Sequence, residues 1–167
     1  MDARTLARIA ALLVVTATTV VGCRGSSAHG AVVHEVIDGD TLVITIDGHR
    51  EHVRLLGIDT PETKHPTKPV ECFGPEAASR LASLLPKGTP LRVVRDVEAR
   101  DHFGRLLLHV FIDSPSGNST HINVDLVRGG FARLLSIPPN SAFEEVLGRA
   151  LVEARRVRRG MWGACTQ

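Results

Sequence analysis

Two Asp-Gly pairs, Asp38-Gly39 and Asp47-Gly48, divide the front of the chain into three runs rich in β-branched residues, over residues 32–37, 42–46 and 50–58. Asp-Gly suits tight turns because Gly accepts a positive φ and Asp hydrogen-bonds its own backbone. Three runs of strand length joined in this way predict an antiparallel meander. Nothing downstream reads as a βαβ succession, so a doubly wound parallel sheet is excluded.

Residues 60–73 carry Pro61, Pro66 and Pro69 interleaved with Lys64 and Lys68, the composition of a long exposed loop. Gly74-Pro75-Glu76 opens a helix in which Ala77, Leu81, Leu84 and Leu85 recur at helical spacing until Pro86 and Gly88 stop it. Residues 91–97 and 106–112 read as two further strands. A short helix is expected over 122–127, ended by Gly129-Gly130, and a long one from Ser141 to Arg159, with Ser141 as N-cap and Glu144 completing a capping box. Three strands in a meander, a helix, two more strands and then helices make an α+β chain with the order of a five-stranded OB-fold β-barrel carrying about three helices. Barrels of this class commonly bind oligonucleotides across one face, an analogy of fold that fixes no function alone.

The 167 residues fit one domain with a short appendage. With 43% hydrophobic and 23% charged residues the chain is too apolar for disorder. Twenty Lys+Arg against eighteen Asp+Glu leave +2, so any polyanion site depends on local placement of charge.

The appendage is N-terminal. Arg4 and Arg8 precede the uncharged, apolar residues 9–21, the layout of a signal peptide and too short for a spanning helix. Val20-Val21-Gly22-Cys23 resembles the lipobox of bacterial lipoproteins, which implies cleavage before Cys23 and lipidation of its sulfur. The alternative is plain secretion after cleavage near Ala28, with Cys23 discarded. The expected organisation is a signal peptide over 1–22, a polar tether over 23–30 and the folded domain over 31–167. The protein is then exported, held by lipid on the outside of the cytoplasmic membrane or in the outer membrane, or simply secreted. A lipidated Cys23 leaves Cys72 and Cys165, an even number that permits one disulfide in an oxidising compartment; two unpaired buried thiols are the alternative. No Cys/His spacing suits structural zinc.

The chemistry gathers around the first hairpins, where Asp38, Asp40, Asp59 and Glu62 lie close in sequence. Asp40 starts the second strand and Asp59 ends the third, so an antiparallel meander brings both to one end of the sheet. Two carboxylates and a nearby carbonyl suit a hard divalent ion such as Ca²⁺ or Mg²⁺; taken alone, Asp38-Gly39-Asp40 is ordinary turn chemistry. Arg54 sits among Leu and Ile, where a guanidinium is costly unless it meets a carboxylate or phosphate. Arg105 enters a strand directly after Asp101-His102-Phe103-Gly104. Two arginines, two metal-type carboxylates and an extra Glu are the components of metal-assisted phosphodiester hydrolysis.

These segments resemble a known family. Ile37-Asp38-Gly39-Asp40-Thr41, then Arg54-Leu55-Leu56-Gly57-Ile58-Asp59-Thr60-Pro61-Glu62, then Phe73-Gly74-Pro75-Glu76-Ala77, then Phe103-Gly104-Arg105 are similar to the signature segments of the staphylococcal nuclease (thermonuclease) family, in order and over nearly the whole mature chain. The resemblance implies the OB barrel and a Ca²⁺-dependent endonuclease acting on DNA and RNA, cleaving the 5′ O–P bond to leave 3′-phosphate ends. It implies Ca²⁺ bound by Asp40, Asp59 and the Thr60 carbonyl, Asp38 supporting the metal-side turn, Glu62 holding or deprotonating the attacking water, and Arg54 and Arg105 on the scissile phosphate.

The chain also departs from the family. It has no Tyr, and Phe103 and Ser136 stand where relatives hold the nucleotide with tyrosines. Phe103 keeps a stacking face without the phenol's hydrogen bond. His102 stands where relatives carry a lysine, and Lys64 and Lys68 either steer a polyanion or are merely solvated. The C-terminal arginines Arg149, Arg155, Arg156, Arg158 and Arg159 read as a solvated helix end, and Trp162 as core. Monomer is the default state at this size. The second functional reading is a nucleic-acid-binding module of the same fold without catalysis.

Overall fold

The structure, a computed structural model, describes residues 27–63 and 69–166. In chain order the elements are β1 (Ser27–Val36), β2 (Thr41–Ile46), β3 (His49–Leu55), β4 (Ile58–Asp59), α1 (Gly74–Leu84), β5 (Pro90–Val94), β6 (Leu106–Asp113), β7 (Ser119–His121), α2 (Ile122–Arg128), β8 (Arg133–Leu134), α3 (Glu144–Arg156) and the single turn α4 (Met161–Ala164). The meander forms as expected, with β1 antiparallel to β2 and β2 to β3. The strand order β3-β2-β1-β5-β6 closes through a parallel pairing of β3 with β6, Val53 opposite Leu106, into a five-stranded mixed barrel of the OB type. Register shifts between Val33 and Glu35 and between His29 and Ala31 bend β1 so that one strand serves both β2 and β5.

Alternation along the strands fills the barrel. Leu42 and Ile44, Val53 and Leu55, and Leu106, Leu108 and Val110 point into one core with Ile122 and Leu126 of α2. The intervening residues, Arg54 on β3 and Arg105, Leu107 and His109 on or next to β6, therefore belong to the opposite face. Asn123 of α2 is wholly buried: its Oδ1 accepts from the Val110 N–H at 3.0 Å and its Nδ2 donates to the Leu56 carbonyl at 2.9 Å. It satisfies backbone groups that the barrel leaves over where β3 ends.

Several expectations change in the structure. The tether over 23–30 is too long by four residues, because Ser27–Val36 is one strand whose first residues bond to β5, Ser27 opposite Val94. The strand expected over 50–58 breaks at Gly57, whose φ of +76° turns the chain where a side chain would be strained. Beyond it, β4 pairs with β8 in a second small sheet. The loop after Thr60 starts buried rather than exposed, at Thr60 and Pro61. The capping box at Ser141 does not form: Phe143 is the N-cap of α3, and the Glu144 carboxylate accepts from the Ser136 hydroxyl instead.

At the C-terminus Met161 and Trp162 pack with Ala154 as a small second cluster against Phe73, as the core reading of Trp162 expects. Cys72 and Cys165 form a disulfide, 93 residues apart in sequence with Cα atoms 6.0 Å apart. Cys23 lies outside the described residues, as do the signal segment, Lys64 and Lys68.

Candidate active site

Arg54 organises the site. On β3 it is paired with Thr41, and its side chain turns across the end of the barrel, where Nη1 donates to the carbonyls of Leu55 (3.1 Å) and Ile58 (2.9 Å). The same nitrogen lies 3.1 Å from Asp40 Oδ2, and Nη2 lies 3.0 Å from Asp59 Oδ1. The strand end, the Asp38–Thr41 turn and β4 thus converge on one guanidinium, as the antiparallel reading required of Asp40 and Asp59.

Asp40 is buried and densely hydrogen-bonded. Its Oδ2 accepts from the Thr60 N–H (3.0 Å) and Oγ1 (3.1 Å), and its Oδ1 from Thr41 Oγ1 (3.0 Å). Gly39 permits this closeness: a Cβ there would sit 2.7 Å from Thr60 Oγ1 and 3.0 Å from the Ala77 Cβ of α1. Asp59 is more open, with its side chain 45% exposed. Partial burial raises its carboxyl above the ordinary range and the Asp40 charge adds to this, while Arg54 and Arg133 oppose it. Two like charges held together in this way are the arrangement that a cation relieves.

Asp38 Oδ1 accepts from the Gly39 N–H and from Thr63 Oγ1, both at 2.7 Å. Glu62 is held by its neighbours: Oε1 accepts from the Thr63 N–H at 2.9 Å, its carbonyl accepts from the Glu71 N–H at 2.9 Å, and its own N–H donates to Glu71 Oε2 at 3.4 Å. Glu71 adjoins Cys72, so the disulfide fastens the segment that pairs with Glu62 to the C-terminus.

Arg105 approaches from β6. In the parallel β3–β6 pairing Leu107 is opposite Arg54, so Arg105 lies on the same face, two residues or about 7 Å along the strand. Its Nε donates to Asp101 Oδ2 at 2.8 Å and its N–H to Asp101 Oδ1 at 2.9 Å. Burial alone would raise the Asp101 carboxyl, but the hydrogen bonds from Arg105 outweigh it and hold the group below its ordinary value. Phe103 is 72% exposed, with the Arg105 guanidinium 5.4 Å from its ring centre and His102 against it at 3.7 Å. An exposed aromatic beside a cation is a surface on which a base can stack.

Among the described residues no group of three or more His, Cys, Asp or Glu side chains is arranged to hold a metal ion. What is present is a carboxylate pair, Asp40 and Asp59, next to Thr60. Its donors are all oxygen, which fits a hard divalent cation and not a soft one.

Besides Asp101, three participants were missed in the sequence. Thr63 and Glu71 act through contacts across a loop, and Arg133 faces Asp59 across the β4–β8 pairing. The signal available for Arg133 was weak, a single cation in a short run before Leu134.

The family model for the staphylococcal nuclease homologue matches residues 52–164. The chain belongs to the staphylococcal nuclease family. Among its relatives, a protein named thermonuclease from Staphylococcus intermedius is 37% identical over 131 residues, covering 78% of this chain and 74% of the relative. Another thermonuclease, from Staphylococcus hyicus, is 32% identical, with 76% and 72% covered. An SPbeta prophage-derived endonuclease, YokF of Bacillus subtilis, is 33% identical, with 75% of this chain and 41% of the relative covered. Membership in the staphylococcal nuclease family accounts for the barrel and for the order of its signature segments.

Proposed function

We propose that this chain is a Ca²⁺-dependent endonuclease that hydrolyses DNA and RNA at the 5′ O–P bond and leaves 3′-phosphate ends. The observation that carries this reading is the convergence of Asp40 and Asp59 on Arg54, with Arg105 on the same face. The names of the relatives, thermonuclease and endonuclease, support it.

Asp40, Asp59 and the Thr60 carbonyl are the groups that would hold Ca²⁺, which when bound supplies positive charge beside the phosphate. Arg54 and Arg105 bind the scissile phosphate and gain strength as charge builds on its equatorial oxygens in the pentacoordinate transition state. Asp101 fixes the fork of Arg105, so little reorganisation remains at the moment of reaction. Glu62 takes the proton of the attacking water as its oxygen bonds to phosphorus, the bond from phosphorus to the 5′ oxygen breaks, and that oxygen leaves as a 5′-hydroxyl protonated from solvent; the Thr63 and Glu71 contacts hold the Glu62 segment in place. Asp38 steadies the Gly39 turn behind Asp40. Phe103 stacks a base with His102 against its ring, and Lys64 and Lys68 add charge along the strand.

The protein is exported and lipid-anchored through Cys23, with secretion as the alternative. The Cys72–Cys165 disulfide supports an oxidising location. The reading is tested by digesting 5′-labelled single-stranded DNA and RNA and examining product ends. Phosphatase-sensitive 3′ ends are expected; products carrying 5′-phosphates would overturn the cleavage position.

A further inference from the structure

β8 runs antiparallel to β4 so that Arg133 is the direct partner of Asp59. Paired residues on such a rung have Cα atoms about 4.5 to 5.5 Å apart, so Arg133 starts beside a carboxylate of the candidate active site. Its exposed side chain lines a cleft of about 290 Å³ together with Arg155 of α3, Met161 and Trp162 of α4, Cys165 and Thr166. The Arg155 guanidinium lies over the indole of Trp162, 4.3 Å from the ring centre. Stacking holds the planar fork in place at little entropic cost.

Neither Arg133 nor Arg155 forms an ion pair with a carboxylate among the described residues, whereas Arg54, Arg105 and Arg159 all do. Two guanidinium groups without such partners, on the wall of one cleft, give it the positive charge that a phosphate seeks. The nearer of them shares a rung with Asp59. Through Asp59, which contacts Arg54, the cleft adjoins the candidate active site.

We infer that the Arg133–Arg155 cleft is a second phosphate subsite, which holds a phosphodiester of single-stranded nucleic acid other than the one cleaved. The identity of the polyanion rests on the nuclease reading; the cleft and its charge do not. Affinity then grows with strand length beyond the dinucleotide, and the disulfide, which places Cys165 in the cleft wall, helps shape the subsite.

The test measures binding without cleavage: fluorescence anisotropy of a labelled thymidine octamer with the protein in excess chelator, together with emission of Trp162, the one tryptophan in the chain. The double variant Arg133→Ala/Arg155→Ala is expected to weaken octamer binding about tenfold. The slope of log affinity against log salt should fall by about 1.4, the share of two single-strand phosphate contacts. A control with the same change of charge, Arg156→Ala/Arg158→Ala, should leave affinity unchanged, because these residues do not line the cleft. Arg133→Ala alone leaves the Arg155–Trp162 stack intact and should give a smaller loss in the same direction, which covers the case where the double variant fails to fold.

Equal weakening in both doubles, or none in the cleft double, would overturn the subsite. If the cleft double lost binding to phosphatidylglycerol vesicles and kept full octamer affinity, a lipid headgroup would be the occupant and the proposal would fall. A protein that binds the octamer through the cleft but never hydrolyses it retains the subsite and loses the nuclease reading.

Discussion

Arg54 and Asp40 meet at 3.1 Å with both side chains about nine-tenths withdrawn from water, whereas the second partner of Arg54, Asp59, is nearly half exposed. The pair is therefore unequal. Asp40 anchors the guanidinium inside the protein, and Asp59 presents it to the surface. Removing one member of a buried ion pair leaves an uncompensated charge and costs about 3 to 5 kcal/mol. Arg54→Ala should show that loss in urea unfolding. Arg54→Lys should fold better yet still lose about two orders of magnitude in hydrolysis rate, because an ammonium cannot span two carboxylates and a phosphate as a fork does. Wild-type unfolding of Arg54→Ala would contradict the burial of this pair.

Gly39 is the narrowest point behind the site. A Cβ there would press on Thr60 Oγ1, the hydroxyl that donates to Asp40. Gly39→Ala should cost about 1 to 3 kcal/mol by overpacking and weaken Ca²⁺ binding at the proposed site as Thr60 is displaced. Calorimetric melting and a Ca²⁺ titration would read the two effects, and an unchanged titration would separate Thr60 from the proposed metal site.

The Cys72–Cys165 bridge closes a loop of 93 residues. In the chain-entropy picture a loop of that length is worth roughly 4 to 5 kcal/mol. Reducing agent should lower the melting temperature markedly. Because Glu71, beside Cys72, bonds the backbone of Glu62, the reduced protein should also turn over more slowly at temperatures where it remains folded. An unchanged melt would show that the bridge does not constrain the chain.

His109 and His121 form a pair under Phe143, with ring nitrogens 3.3 Å apart and Phe111 stacked on His121. Burial lowers both, His109 to about 4 despite the opposing charge of Asp96, and His121 to about 3 with help from His109 and Arg92. The unfolded residues titrate at about 6.5. Between these limits the unfolded chain binds more protons, so stability is full above the unfolded value and falls as pH drops toward 4 and 3, by on the order of a few kcal/mol. Chemical unfolding at neutral pH and in mild acid should show the decline, and His121→Phe should reduce it. An equal decline in the variant would place the acid sensitivity elsewhere.

What could be read beforehand followed from local chemistry. Asp-Gly turns and strand alternation fixed the meander, and with it the approach of Asp40 and Asp59 to one end of the sheet. Cysteine parity pointed to the disulfide. The β4–β8 sheet was not legible, since two-residue strands carry no period, and with it the Asp59–Arg133 rung was hidden. The Ser141 capping box failed because Glu144 found a partner in Ser136, a tertiary contact that outweighed a local motif. Ser27 to Gly30 looked like tether because small polar residues do not announce a strand, yet their backbone continues the β1–β5 ladder. Asn123 was missed because its partners Leu56 and Val110 come from the end of β3 and from β6 and are set by folding, whereas Asp101 lies only four residues from Arg105 and its local ion pair went unread.

The most direct measurement is the hydrolysis of single-stranded DNA and RNA by the protein with Ca²⁺ or with excess chelator, beside a Glu62→Gln variant. Cleavage that requires Ca²⁺ and falls by orders of magnitude in the variant is the predicted result. A folded, oxidised protein that binds the strands but leaves them intact with Ca²⁺ present would contradict the nuclease reading and leave a binding module in its place.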